Sequence, residues 1–280
     1  MSLRKIFLLL TLFLFMPFVQ HTLGTTATDN PLATIHQYPG FCSIFHHWGF
    51  IGDSLSSGEF ESLKDGKRGY HDFYEYSWGQ RMCRLMGVDG DNYSQGGETA
   101  RGWIDHFWSH PYNINRNIDA HRSPKQAYII ALGVNDALHK VPAGNIDTDI
   151  DLDDYHHNAN TFAGQYAGII QRIRSISPDC FVFVVTDPGR YNGAESPYNS
   201  FIRQLPAKFS RLYVIDLHKY GPDYSDKEFR SRYFVGGHLN AAGYEWTAWV
   251  MMTYIDHIIR QHPSEFAQAG FIGTTLSYEK

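Results

Sequence analysis

The chain has 280 residues, a formal net charge of -5 and an aromatic share of 15%. That length suits one sizeable domain with a continuous core, and the mildly acidic balance gives no reason to expect nucleic acid or an anionic membrane as partner. Three cysteines, Cys42, Cys83 and Cys180, leave at least one unpaired in a monomer. Buried free thiols are therefore the expected state, with a Cys42–Cys83 bridge as the alternative.

Met1-Ser2-Leu3-Arg4-Lys5 and the apolar stretch Ile6 to Val19 have the charged start and apolar middle of a secretory signal peptide. The stretch is short for a membrane span, and the polar, small-residue run from His21 to Ala27 suits cleavage near Gly24 or Ala27. The expectation is a signal peptide over 1–24 and one mature domain over 25–280. The product would be exported, periplasmic or secreted, without stable membrane insertion; an uncleaved N-terminal anchor is the alternative.

The first predicted strand runs through His47-Trp48-Gly49-Phe50-Ile51 and ends at Gly52. Asp53-Ser54-Leu55 then places a serine on a polar turn at the carboxyl edge of a sheet, where ligands bind in open α/β folds. Glu61 to Tyr76 reads as a loop insertion. Asn92 to Thr99 reads as a short strand, a Gly96-Gly97 turn and the start of a helix near Thr99; a glycine there offers its N–H to an anion with no side chain in the way.

Ala127 to Leu132 is a β-branched, apolar run of the kind covered on both faces. Gly133-Val134-Asn135-Asp136 follows it, and an asparagine amide at a strand end either donates to a developing oxyanion or caps the next turn. The acidic run Asp147 to Asp154 alternates carboxylates but lacks the central glycine and terminal glutamate of a calcium loop, so it reads as a solvated loop insertion. Phe162, Tyr166, Ile169, Ile173 and Ile176 recur at helix spacing. Phe181 to Val185 and Leu212 to Ile215 are two further strands. Gly236-Gly237-His238-Leu239-Asn240 puts a histidine in a glycine-rich loop, with Asn240 as N-cap of a last helix through Tyr244, Ala248, Met251, Ile255 and Ile258.

Strands alternating with amphipathic helices predict an α/β domain, a mostly parallel sheet between helix layers in a three-layer α/β/α sandwich. The fifteen histidines are scattered without shared ligand spacing, and no metal site is expected.

Four stations, Ser54, the Gly96-Gly97 turn, Asn135 and His238, thus fall in order along the chain. They resemble the SGNH hydrolases, or GDSL esterase/lipase family, from about Gly52 to Tyr244, and His238-Leu239-Asn240-Ala241-Ala242-Gly243-Tyr244 is particularly close to the family's last block. The resemblance implies a flavodoxin-like sheet and a serine esterase needing no metal or organic cofactor. It implies Ser54 as nucleophile, an oxyanion hole of the Ser54 N–H, the Gly97 N–H and the Asn135 amide, and His238 as general base. Gly97 is preferred to Gly96 because Gly97-Glu98-Thr99 fits the family's Gly-x-Thr pattern.

One position departs from the family. The aspartate that normally stands three residues before the histidine is Val235 here. Asp136-Ala137-Leu138-His139 and Asp154-Tyr155-His156-His157 carry a similar spacing in the wrong block. The expectation is a working Ser-His pair with a substitute acceptor, either a backbone carbonyl or a carboxylate drawn from Asp223, Asp226 and Glu59. The substrate expected is a small-molecule or glycan ester, with removal of small acyl groups from carbohydrates favoured. Trp78, Trp103, Trp108 and Tyr191 are candidate sugar-stacking surfaces. The alternatives are a lipase or acylhydrolase acting on lipid esters, and a non-catalytic glycan-binding protein on the same scaffold.

Overall fold

Strands that are apolar at every position need cover on both faces, and the chain supplies it with helices drawn from the segments between them. The computed structural model describes residues 30–32, 40–109, 118–191 and 193–278; the signal peptide expected over 1–24 lies outside them. Strand β1 (His47–Gly52) leads into a single-turn helix α1 (Ser54–Ser57) and then a hairpin, β2 (Glu59–Lys64) and β3 (Lys67–Asp72). Next come α2 (Trp78–Met86), β4 (Asp89–Asn92), α3 (Ala100–Phe107), β5 (Ala127–Ala131), α4 (Val134–Leu138), α5 (Phe162–Ile176) and β6 (Phe181–Val185). A two-residue ribbon, β7 (Arg190–Tyr191) and β8 (Ala194–Glu195), precedes α6 (Asn199–Gln204), β9 (Leu212–Ile215), α7 (Leu217–Tyr220) and α8 (Lys227–Tyr233). A second ribbon, β10 (Phe234–Val235) and β11 (His238–Leu239), opens into the long helix α9 (Ala241–Gln261).

The main sheet has five parallel strands in the order β4-β1-β5-β6-β9. Counted along the sheet this is 2-1-3-4-5, the flavodoxin-like order whose switch point lies between β1 and β5. Side chains alternate across the sheet. Trp48, Phe50, Ile129, Phe183 and Ile215 face one core with Trp78 and Met82 of α2 and Met251 and Ile255 of α9. Ile51, Tyr128, Ile130, Val182 and Val184 face the other, with Trp103 and Phe107 of α3 and Tyr166, Ile169 and Ile173 of α5. The caps that end the loops are local: Thr161 accepts the Gly164 N–H at the start of α5, and Asn240 accepts the Gly243 N–H at the start of α9.

Two expectations need correction. The stretch from Glu61 to Tyr76 is largely the β2–β3 hairpin, not an irregular insertion; its turn, Asp65-Gly66, takes φ of 52° and 72°, the two positive values that a type I′ turn requires. Trp78, Trp103 and Trp108 are buried and offer no stacking surface: Trp78 and Trp103 pack in the two cores beside the sheet, and Trp108 lies against His121 and Arg172. The Tyr191 side chain lies outside the described residues. The Asp147 to Asp154 loop spends its carboxylates on its own turns: Asp149 accepts the Asn145 N–H and the Thr161 hydroxyl, and Asp151 accepts the N–H groups of Asp153 and Asp154. All three cysteines are buried and none is in a disulfide.

Candidate active site

Ser54 is the first residue of α1, directly past the carboxyl end of β1. Asp53 caps that turn, its Oδ1 accepting the Leu55 N–H at 3.0 Å and its carbonyl accepting the N–H groups of Ser56 and Ser57. Burial pushes the Asp53 carboxyl up to about 7, and its Oδ2 has no hydrogen-bond partner among the described residues. The helix stops after one turn at Gly58, whose φ of 83° suits glycine and whose N–H returns to the Ser54 carbonyl. A Cβ at Gly58 would stand 2.4 Å from the Phe73 carbonyl oxygen. The chain therefore turns at once into β2, which carries Glu59 and Glu61.

The second and third stations are tied together. Gly97 is exposed with φ of 78°, on a turn closed by the Glu98 N–H to the Gln95 carbonyl. Asn135 Nδ2, in the first turn of α4, donates to the Glu98 carbonyl at 3.0 Å. Its neighbour Asp136 is buried, caps α3 by accepting the Ala100 N–H on both carboxylate oxygens, and is pushed by burial up to about 6. Asn92 at the end of β4 donates to the Ser56 carbonyl at 2.9 Å and so fastens α1 to the neighbouring strand.

His238 sits on β11 with a side chain 16% exposed. Its cross-strand partner is Val235, itself 49% exposed. The carboxylate that reaches the imidazole comes from the hairpin: Glu59 Oε1 lies 2.9 Å from Nε2, and Glu61 Oε2 lies 3.7 Å from Nδ1. At that distance Glu61 is a charged neighbour and not a hydrogen-bond acceptor, and Nδ1 is buried without a hydrogen bond among the described residues. Burial works to lower the His238 pKa, but the Glu59 hydrogen bond and the charges of Glu59 and Glu61 outweigh it and hold the ring above its ordinary value. The Tyr244 hydroxyl lies 2.7 Å from the Glu59 carbonyl and 3.2 Å from the Ser54 carbonyl, joining the serine turn to the start of β2.

Among the described residues no hydrogen bond joins Ser54 Oγ to His238; Glu59 holds Nε2 instead. Of the acceptors considered from sequence, Glu59 alone is brought to the ring: Asp223 pairs with Arg190 at 2.8 Å and Asp226 caps α8 through the Phe229 N–H. Glu61 was missed. The signal that finds it is Asp65-Gly66, which marks a hairpin and so sets Glu59 and Glu61 two residues apart on one face of a strand.

A serine at the switch point of a parallel sheet, together with a histidine on β11 held by a hairpin carboxylate, is the setting of a hydrolase of the α/β sandwich class. The chain belongs to the GDSL-like lipase/acylhydrolase family, whose sequence profile matches residues 50–246, and it is thereby a hydrolase of ester bonds. No match was found among curated protein sequences. Among solved structures, one aligns over 77% of this chain and 98% of its own length at 22% identity and a TM-score of 0.56. A family two carbohydrate esterase from Clostridium thermocellum, solved in complex with cellohexaose, aligns over 79% of this chain at 15% identity and a TM-score of 0.52. An active-site mutant of a family two carbohydrate esterase from the same organism gives 16% identity over 78% of this chain, also at 0.52. This chain spans 65% and 64% of those two proteins. At such identities the likeness is one of fold.

Proposed function

We propose that this protein is an exported serine esterase that removes small acyl groups, acetyl above all, from carbohydrates. The observation that carries the catalytic part is the pair of hairpin carboxylates, Glu59 and Glu61, at the His238 ring: they supply negative charge where position 235 has no aspartate. In this reading Ser54 Oγ attacks the ester carbonyl as its proton passes to His238 Nε2. The oxyanion is met by the N–H groups of Ser54 and Gly97 and by Asn135 Nδ2, which has a second hydrogen to offer beyond its bond to Glu98. His238 then protonates the leaving alcohol, and water releases the acyl group by the same steps.

A small cavity beside the serine turn supports a short acyl group. Asp53, Leu55, Val134 and Leu239, each next in chain to Ser54, Asn135 or His238, line a cavity of about 50 Å³ with Val185, Leu217 and Met251. That is room for a few waters or a short acyl group and far below the several hundred Å³ of a typical ligand pocket. The carbohydrate part draws on the likeness to the Clostridium esterases, and export on the charged, then apolar, sequence of residues 1–24.

The test is hydrolysis of p-nitrophenyl esters from acetate to octanoate and of an acetylated oligosaccharide by the mature protein, with Ser54→Ala beside it. Acetate preference abolished by Ser54→Ala is expected. Preference for octanoate would favour the lipid-ester reading, and a folded protein that cleaves nothing would leave only a binding role.

A further inference from the structure

Residues i and i+2 of a strand share a face, so Glu59 and Glu61 both turn toward His238 while Phe60 packs on the opposite face against Phe73, Tyr76 and Tyr244. The two carboxylates meet opposite nitrogens of one ring. Their surroundings differ. Glu61 Oε2 accepts the Gly237 N–H at 2.6 Å, its Oε1 faces Arg68 Nε at 3.2 Å, and its side chain is 7% exposed. The Gly236-Gly237 loop is shaped around it, since a Cβ at Gly236 would stand 2.3 Å from the Glu61 carboxyl and the residue takes φ of 64°. The Gly237 N–H first, then Arg68 and His238, hold the Glu61 pKa below its usual range, so Glu61 is a fixed charge.

Glu59 lies instead between the ring and the glycine turn. Its Oε2 would be 1.8 Å from a Cβ on Gly96, so the carboxylate occupies the space directly before the Gly96-Gly97 turn and takes the nitrogen that Ser54 Oγ needs.

We propose that Glu61 is the positioning residue that replaces the missing aspartate, and that Glu59 is a gate on His238 Nε2 which the arriving ester displaces from its place before Gly96. This rests on the Ser54–His238 esterase reading. The protons balance as follows. With Glu59 seated, one proton is shared between Nε2 and the Glu59 carboxylate. On displacement that proton passes to solvent, Glu59 leaves as a carboxylate, and His238 keeps the Nδ1 proton that faces Glu61. Nε2 then accepts the Ser54 proton as the Oγ–carbon bond forms and the carbonyl electron pair moves onto oxygen. Once moved from the glycine turn, the Glu59 carboxylate no longer opposes negative charge developing at the Gly97 N–H.

Other titratable groups reach the ring: Asp72 on β3, pushed up by burial and bonded to Ser57; Asp53 on α1; and Tyr70 on β3, whose ring centre is 5.6 Å from that of the imidazole. The two glutamates are nevertheless the groups at its nitrogens. The test pairs Glu61→Gln and Glu59→Gln, with kcat and KM for p-nitrophenyl acetate followed from pH 5 to 9 and the His238 ring titrated by NMR. In Glu61→Gln the amide oxygen that accepts the Gly237 N–H still lies toward Nδ1 but carries no charge, and the NH₂ is set against Arg68 in place of Oε1. The expected result is a fall in kcat of about 10²- to 10⁴-fold with KM within about threefold, and a lower ring pKa.

Glu59→Gln removes the charge that holds a proton on Nε2 and so frees the base, and the acid limb of kcat/KM should move to lower pH and the rate near pH 6 should rise above the parent's. A Glu61→Gln enzyme with the parent's kcat and pH profile, or a Glu59→Gln enzyme with an unmoved acid limb, would overturn the proposal. The ring titration keeps the two levels apart. An unchanged His238 pKa in both variants defeats the gate and clamp even if the parent cleaves esters, whereas a ring pKa lowered in the variants of a parent that shows no hydrolysis defeats the esterase reading alone.

Discussion

Placing an aspartate back at position 235 separates a substituted triad from a decayed one. Val235 and His238 are directly opposed on the β10–β11 ribbon, so their side chains share a face with Cβ atoms roughly 5 Å apart, and Val235→Asp sets a third carboxylate near a ring that already has Glu59 at 2.9 Å and Glu61 at 3.7 Å. Position 235 is 49% exposed, where an added ion pair contributes about 0–1 kcal/mol. The expected change in kcat at pH 8 is therefore within about fivefold of the parent. Were the hairpin carboxylates idle, the parent would lack on the order of 10⁴ in turnover, and Val235→Asp would restore much of it. Initial rates on p-nitrophenyl acetate, with His238→Ala as the floor, decide between the two. A gain of 10²-fold or more in Val235→Asp would refute the assignment of the hairpin glutamates.

Three further expectations concern the frame around the site. Asp53 is held protonated in the fold to about pH 7 by burial but ionises near 3.9 when unfolded; the folded state binds the extra proton between those values, so stability falls as pH rises through that window, by up to roughly 4 kcal/mol. Asp53→Asn keeps the cap to Leu55 and should stabilise the protein at pH 8 but not at pH 4; urea midpoints that differ from the parent equally at both would contradict this. Gly79→Ala gains about 1 kcal/mol of helix propensity in α2, but its Cβ would stand 2.5 Å from the Phe50 ring, and overpacking costs about 1–3 kcal/mol. Its Tm should fall, and a rise would show that Phe50 has room to move. Burial pushes the thiols of Cys42 and Cys83 up to about 12 and that of Cys180 to about 11, so native protein at pH 8 should take up no iodoacetamide while urea-unfolded protein takes three equivalents; modification of the native protein would mean the thiols are not enclosed.

The sheet was legible because its strands are buried on both faces: Phe181 to Val185 carries no polar residue to interrupt the run. The caps at Thr99, Thr161 and Asn240 mark the starts of α3, α5 and α9, and the first sits at the glycine turn and the last two residues past His238. The hairpin was not legible as structure, because Glu59 to Asp72 is mostly exposed and charged and lacks the apolar alternation of a half-buried strand. Its only strong mark is the Asp65-Gly66 turn. The partner of His238 was out of reach for the same reason. Glu59 is five residues from Ser54 and 179 from His238, and only the immediate return of the chain after Gly58 brings it to the ring. The tryptophans misled because an aromatic near a helix start reads alike whether it faces solvent or the sheet; here the sheet face claims Trp78 and Trp103.

The central claim is that Ser54 is a nucleophile activated by His238. Reaction of the mature protein with a fluorophosphonate, followed by intact-mass and peptide mass spectrometry, tests it most directly, because the reagent reports the activated serine whatever the natural ester. The account predicts one adduct per chain on the peptide holding Ser54, lost in Ser54→Ala and slowed by about 10²-fold or more in His238→Ala. A folded protein that forms no adduct, or forms it equally well in Ser54→Ala, would contradict it.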